Sequence, residues 1–254
     1  MVGVIPAGGP DFRLGKAKAL LDAGDGTFLE RAVAELRAVG ADPVLVGVDE
    51  SRGPLHAAVR AVGARPLHVA PDRGESLLSL ALDVIRDMTP EPRAQEVHRS
   101  GGGDEPEAEG APGPVPALLW LPVDLPLVQP ETLRALVAGL REAGSASPPP
   151  ALLRPSHQGK AGEPVILHPE WVQVLLGEDG TGADGTEPAT NLEIPSDGPA
   201  PWAAWDRPLG EWGQAAPSVR EIEVEDPGIH IRIRTLTDYR RRFPRVFRRR
   251  FQKW

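Results

Sequence analysis

The sequence predicts an α/β fold with three layers, α/β/α, built around a mostly parallel sheet. Three observations carry this expectation. Short apolar runs alternate along the first half of the chain with stretches whose apolar residues recur at helical spacing. Glycine, proline and small polar residues mark the junctions between them. A length of 254 residues with 41% hydrophobic side chains is enough for one large core. Such alternation places parallel strands in one sheet, helices on both faces, and ligands at the carboxyl ends of strands.

The elements follow in order. Val2 to Ala7 is an apolar run that stops at Gly8-Gly9, which reads as a buried strand. Thr27 heads a helix with Leu29, Val33, Leu36 and Val39 on one face, and Gly40 stops it. Pro43 to Val48 is a second strand, His56 to Val62 a helix, and Pro66 to Val69 a third strand. Ser76 to Ile85 is helical, Leu118 to Val123 is a fourth strand, and Pro130 to Leu140 is a helix with proline at a favoured first position. Ligand-binding loops are therefore expected after Ala7, after Val69 and after Val123. Near the end, Ile229, Ile231 and Ile233 alternate with His230, Arg232 and Arg234, which predicts a further strand with the two arginines on its other face.

Residues 89–116 and 178–216 interrupt this pattern with Gly, Pro and acidic side chains, and both read as mobile insertions. Trp202, Trp205 and Trp212 in the second point to partial docking. The expected organisation is one domain over residues 1–239 and a basic tail over 240–254. From Tyr239 onward the chain carries Arg240, Arg241, Arg242, Arg245, Arg248, Arg249, Arg250 and Lys253 without a single acid. The rest of the chain holds all 36 acids against 20 of the 28 cations. In the tail, Phe243, Phe247, Phe251 and Trp254 form an aromatic stripe at helical spacing, with Pro244 limiting the first turn. A stripe packed on the domain, its arginines paired with the acidic body, is the expected arrangement. Contact with nucleic acid or an anionic surface is the other.

Composition also excludes several chemistries. With 0 cysteines, the chain has no disulfide, thiolate metal site or thiol nucleophile, and it suits a reducing cytoplasm. The N-terminus has no basic region leading into a signal-like apolar stretch, and no run of about 18 apolar residues could span a membrane. A cytoplasmic protein is the expectation.

Chemistry enters with Pro6-Ala7-Gly8-Gly9-Pro10-Asp11-Phe12-Arg13-Leu14-Gly15-Lys16-Ala17-Lys18. A strand ends, glycines let backbone N–H groups approach phosphate oxygens, and cations follow. Arg13 can grip phosphate with its forked guanidinium, and Lys18 can act as a point charge on pyrophosphate. A polar turn with solvated cations would fit the same spacing. The second signal is Leu121-Pro122-Val123-Asp124-Leu125-Pro126-Leu127, with an acid directly after a strand. A carboxylate there suits Mg²⁺, which prefers oxygen ligands. Asp124 lies too far ahead of Pro130 to cap the following helix.

These segments resemble the signatures of the molybdenum-cofactor guanylyl- and cytidylyltransferases and their sugar-phosphate relatives. Gly8, Gly9, Arg13, Gly15 and Lys18 fall on the fixed positions of their phosphate loop, with Leu14 for the usual methionine. Pro122-Val123-Asp124-Leu125-Pro126-Leu127 matches their P-x-D-x-P-L segment. The resemblance implies a Rossmann-like, GT-A-like nucleotidyltransferase fold and a nucleoside triphosphate held by the loop, with Ala7, Gly8, Gly9 and Gly15 at the nucleotide. It implies catalytic roles for Arg13, Lys18 and Asp124, with Mg²⁺ on Asp124, and a phosphorylated acceptor such as a pterin or sugar. Asp72 and Ser76, in Pro71-Asp72-Arg73-Gly74-Glu75-Ser76, are its candidates for reading the base, although an N-cap explains Asp72 equally well. The alternative is a catalytically degenerate nucleotide-binding protein of the same fold, with a regulatory or scaffold role.

Two segments depart from the resemblance. In Gly159-Lys160-Ala161-Gly162-Glu163-Pro164-Val165, Glu163 stands where relatives usually carry histidine beside the acceptor. In Asp226 to Tyr239, Arg232 and Arg234 stand where relatives carry aspartates, the first of which completes their metal site. In the relatives' register both arginines face the cleft, where each is repelled from Mg²⁺ by about 8 kcal/mol at 4 Å in a surface-like dielectric. Three outcomes are open: the arginines bind phosphate, Asp124 alone serves a Mg²⁺ carried in by the triphosphate, or the arginines pair with acids such as Glu223 or Glu225.

Overall fold

A computed structural model describes residues 1–8, 17–49, 53–70, 76–89, 114–177 and 216–251. Most of both insertions, the loop segment 9–16 and the loop 71–75 lie outside the described residues.

The first half folds as its alternation predicts. Strands β1 (Val2–Pro6), β2 (Val44–Asp49), β3 (Arg65–Val69) and β4 (Leu118–Trp120) run parallel in the order β3-β2-β1-β4. Helices α1 (Phe28–Ala38), α2 (Gly53–Ala61) and α3 (Leu77–Met88) connect or flank them. Thr27 caps α1 in a reciprocal capping box: its hydroxyl accepts from Glu30 N–H, and the Glu30 carboxylate accepts from Thr27 N–H. Ser76 caps α3 in the same way with Ser79.

The other half of the sheet was not marked by alternation. Strands β5 (Leu152–His157), β6 (Lys160–Ala161) and β7 (Val165–Leu167) extend the sheet beyond β4 in the order β4-β7-β5-β6. Here β7 is antiparallel to β4 and β5 is antiparallel to β7, while β8 (Val219–Glu223) returns parallel to β5. Helix α4 (Pro130–Ala143) precedes β5, and α5 (Pro169–Leu176) follows β7. Two apolar clusters line the two sides of the sheet. One gathers α1 and α4 side chains such as Phe28, Leu36, Leu133 and Leu136, and the other gathers α3 and α5 side chains such as Leu77, Ile85 and Val172.

Two expectations near the C-terminus are corrected. Residues 229–234 form no strand. Pro227–His230 is a short 3-10 turn opened by Asp226, whose carboxylate accepts from Gly228 N–H at 2.8 Å, and extended chain follows. The alternation is still used, since Ile229 and Ile233 are buried, but the backbone bonds go to loops rather than a ladder. Arg234 does not face the cleft. It is exposed, and its N–H donates to Asp238 at the start of α6 (Leu236–Arg242).

Helices α6 and α7 (Pro244–Phe251) carry the tail onto the domain. Tyr239, Phe243 and Val246 are buried there, and the rings of Tyr239 and Phe243 meet Phe28 of α1 at 6.0 and 5.4 Å. The Tyr239 hydroxyl donates to the Asp22 carbonyl at 2.7 Å. Phe243 and Phe247 of the stripe thus pack on the domain, and the side chains of Phe251 and Trp254 lie outside the described residues. The arginines do not pair as expected: Arg240, Arg241, Arg242, Arg245, Arg248 and Arg249 are exposed, and no salt bridge joins them to an acid among the described residues.

Candidate functional site: a carboxylate–guanidinium–carboxylate bridge

The site begins where β1 and β4 end. Val123 N–H donates to the Pro6 carbonyl at 3.4 Å, which ties the residue before Asp124 to the end of β1. These are neighbouring carboxyl ends of parallel strands, the place where α/β sheets bind ligands. Lys18, at the far end of the loop, starts a 3-10 turn and is only 5% exposed. Gly9, Arg13 and Gly15 lie outside the described residues, as does Asp72. Ser76 is described, and its hydroxyl is engaged in capping α3.

Asp124 is almost wholly buried and does not cap α4. That task falls to Asp226, about a hundred residues further on, whose carboxylate accepts from Gln129 N–H at 2.8 Å and from the Thr132 hydroxyl at 2.6 Å. The sequence hides this cap because its residue is distant, although Asp226-Pro227-Gly228 is itself a visible turn signal.

Asp124 instead meets Arg232. One guanidinium nitrogen, Nη1, donates to Asp124 Oδ1 at 2.8 Å, and the other, Nη2, makes a short bond to Glu163 Oε2. The side chains of Arg232, Asp124 and Glu163 are 20%, 4% and 11% exposed. Asp124 Oδ2 is buried and has no hydrogen-bond partner among the described residues. The structure therefore joins Asp124, Glu163 and Arg232, which the sequence treated as three separate observations. The acids paired with arginine are not Glu223 or Glu225. Glu223 instead accepts from the Ser156 hydroxyl at 2.7 Å and from Gln158 N–H at 2.8 Å, and these bonds, the hydroxyl's foremost, hold its carboxyl below the usual range.

As arranged, these residues do not make a seat for Mg²⁺. A guanidinium already occupies the space between the two carboxylates, and a second cation there would be repelled. Among the described residues, no group of three His, Cys, Asp or Glu side chains gathers where it could hold a metal.

The family model of the MobA-like NTP transferase domain matches residues 3–186. The chain belongs to this family. It is a nucleotidyltransferase by that membership, and its parallel β1-to-β4 core with flanking helices is the corresponding fold. Among solved structures, Rv0371c of Mycobacterium tuberculosis in complex with manganese matches with a TM-score of 0.56 at 20% identity, covering 96% of this chain and 97% of that one. A nucleotidyl transferase of Methanothermobacter matches with a TM-score of 0.54 at 17% identity over 98% and 97% of the two chains. The molybdopterin-guanine dinucleotide biosynthesis protein A of Archaeoglobus fulgidus matches with a TM-score of 0.51 at 14% identity over 95% of each chain. At these identities the likeness is one of fold. No curated protein sequence matches the chain. No helix among the described residues is long and apolar enough to cross a membrane.

His230, two residues before Arg232, is half-buried with its Nε2 unpartnered among the described residues. Burial first, and then the nearby cations Lys160 and His157, push its imidazole pKa down.

Proposed function

We propose that the chain transfers a nucleotidyl group from a nucleoside triphosphate to a phosphorylated acceptor, a pterin or sugar phosphate being the class that fits. An acceptor phosphate oxygen attacks the α-phosphorus, the bond to the bridging β-phosphate oxygen breaks, and pyrophosphate leaves with the electron pair. The protein's part is to position the reactants and stabilise developing charge. In this reading Gly8 and Gly9 supply backbone donors, Arg13 and Lys18 stabilise the β- and γ-phosphates, and Asp72 and Ser76 are the candidates for reading the base. Asp124 fixes the position and charge of the Arg232 fork, which faces the phosphates.

The observation that supports the reading is that the segment leading to Asp124 bonds to the end of β1 through Val123 N–H and the Pro6 carbonyl, with Arg232 paired to Asp124. Rv0371c was solved in complex with manganese, and the Archaeoglobus protein is named for molybdopterin-guanine dinucleotide biosynthesis. In this chain a comparable acceptor would meet a Glu163 whose charge Arg232 already balances.

The test is pyrophosphate release from each of the four nucleoside triphosphates, offered with a panel of sugar phosphates and phosphorylated pterins. Release that depends on one triphosphate and one acceptor, and that falls about 100-fold in Asp124→Ala, is the expected result. Saturable nucleotide binding without pyrophosphate release for any acceptor would instead make the chain a nucleotide-binding member of the family that does not turn over.

A further inference from the structure

We infer that Arg232 is a built-in counter-cation that keeps the Asp124–Glu163 carboxylate pair closed to divalent ions, and that removing its charge turns the pair into a divalent-cation site. Three features of the structure converge on this. Arg232 uses a different nitrogen for each carboxylate, which a rigid planar fork does well and a single hydrated ion would replace with direct coordination. The bridge is built in from both sides by backbone bonds: Ile233 N–H donates to the Asp124 carbonyl at 2.8 Å, and Glu163 N–H donates to the Ile229 carbonyl at 3.3 Å. Between these two tethers, Ile231 N–H donates to the Gly228 carbonyl at 3.0 Å, so the arginine is presented to both acids by its own main chain. Third, Asp124 Oδ2 is a buried carboxylate oxygen with no partner among the described residues, an atom that a hard cation would satisfy and the guanidinium does not.

A guanidinium does not deprotonate in proteins, so it cannot leave by losing its charge. A divalent ion and Arg232 therefore compete for the same two carboxylates, and the tethered cation has the advantage of high effective concentration. Metal binding to the protein alone is the quantity at issue, so the inference stands or falls independently of nucleotidyl transfer.

The experiment titrates Mn²⁺ into the full chain without nucleotide. Free Mn²⁺ is followed by its six-line electron paramagnetic resonance signal, and the melting temperature is recorded with and without the ion. Arg232→Met keeps the side-chain volume and removes the charge. It is expected to take up one equivalent of Mn²⁺ about tenfold or more tightly than the parent protein, and to melt higher when Mn²⁺ is present. Asp124→Asn in that background is expected to abolish the gain. Equal Mn²⁺ affinity in the parent protein and Arg232→Met would overturn the inference, as would a folded Arg232→Met that binds none. Should Arg232→Met not fold, Arg232→Gln takes its place, since its amide also removes the charge while keeping donors for the carboxylates. A gain in Mn²⁺ affinity supports the inference, and no gain in a folded Arg232→Gln overturns it.

Discussion

A guanidinium between two nearly buried carboxylates is stable only while all three partners are present. Removing one partner of a buried pair leaves an uncompensated charge and costs about 3–5 kcal/mol. Glu163→Gln and Arg232→Asp are each expected to lower stability by an amount of this order, measured by urea denaturation. The exchange that restores the resembled motifs, Glu163→His with Arg232→Asp, is expected to cost less than the sum of its parts, with a coupling of about 1–3 kcal/mol in a double-mutant cycle. Additive costs would show that the two positions do not act as a unit. At this scale the sequence disclosed the residues but not their relation. Glu163 and Arg232 stand 69 positions apart, and each stood as a separate departure from its own motif. Only proximity reveals that one charge change answers the other. Asp226 was hidden for the same reason, because a cap drawn from the far end of the chain leaves no mark beside Gln129.

Among the elements, helix α5 has an unusual cap. His168 precedes it, and the imidazole Nδ1 accepts from Glu170 N–H at 3.3 Å, which requires that nitrogen to be unprotonated. Burial pushes the imidazole pKa below its usual 6.5. The folded state therefore binds this proton less readily than the unfolded chain does. The associated stability is fully present above the unfolded pKa and is lost as pH falls through the folded value. Stability is expected to decline from about pH 7 toward pH 5, and His168→Asn, which retains a capping oxygen, is expected to flatten that decline. An unchanged pH profile in the variant would assign the dependence elsewhere, with His230 the next group to replace, since its pKa is shifted in the same direction.

The first four strands were legible because parallel strands buried on both faces appear as continuous apolar runs between helices. The strands β5, β7 and β8 were not. The two-residue β6 and three-residue β7 are too short for any periodicity, and β8, Val-Arg-Glu-Ile-Glu at a sheet edge, has only two apolar residues and no alternation. The isoleucine alternation at 229–233 gave the opposite error. Burial of every second residue can be imposed by packing alone, and here Asp226 and Pro227 set a 3-10 turn that no neighbouring strand pairs.

For the whole molecule, the tail separates packing from charge. Phe243 and Val246 are part of the main core, so Phe243→Ala is expected to destabilise the protein by about 3–5 kcal/mol. Replacing Arg241, Arg245, Arg248 and Arg249 together with glutamine is expected to move stability by less than about 1 kcal/mol in total at moderate salt, because these side chains are exposed and none is joined to an acid among the described residues. Paired thermal melts of the two variants test this contrast, and a large loss in the arginine variant would reveal a pairing with the acidic body. The composition showed the aromatic stripe and the charge asymmetry. It could not show the destination of the stripe, because the Phe28 that receives it lies more than two hundred positions upstream.

The span of 108 positions between Asp124 and Arg232 also matters on the ribosome. Chains emerge from the N-terminal end at about 5–20 residues per second, so Asp124 and Glu163 are made several seconds before their cation exists. During that interval the chain holds both acids without Arg232. The residue that balances the finished site thus also dates its completion: position 232 has to be made before the site has its final charge.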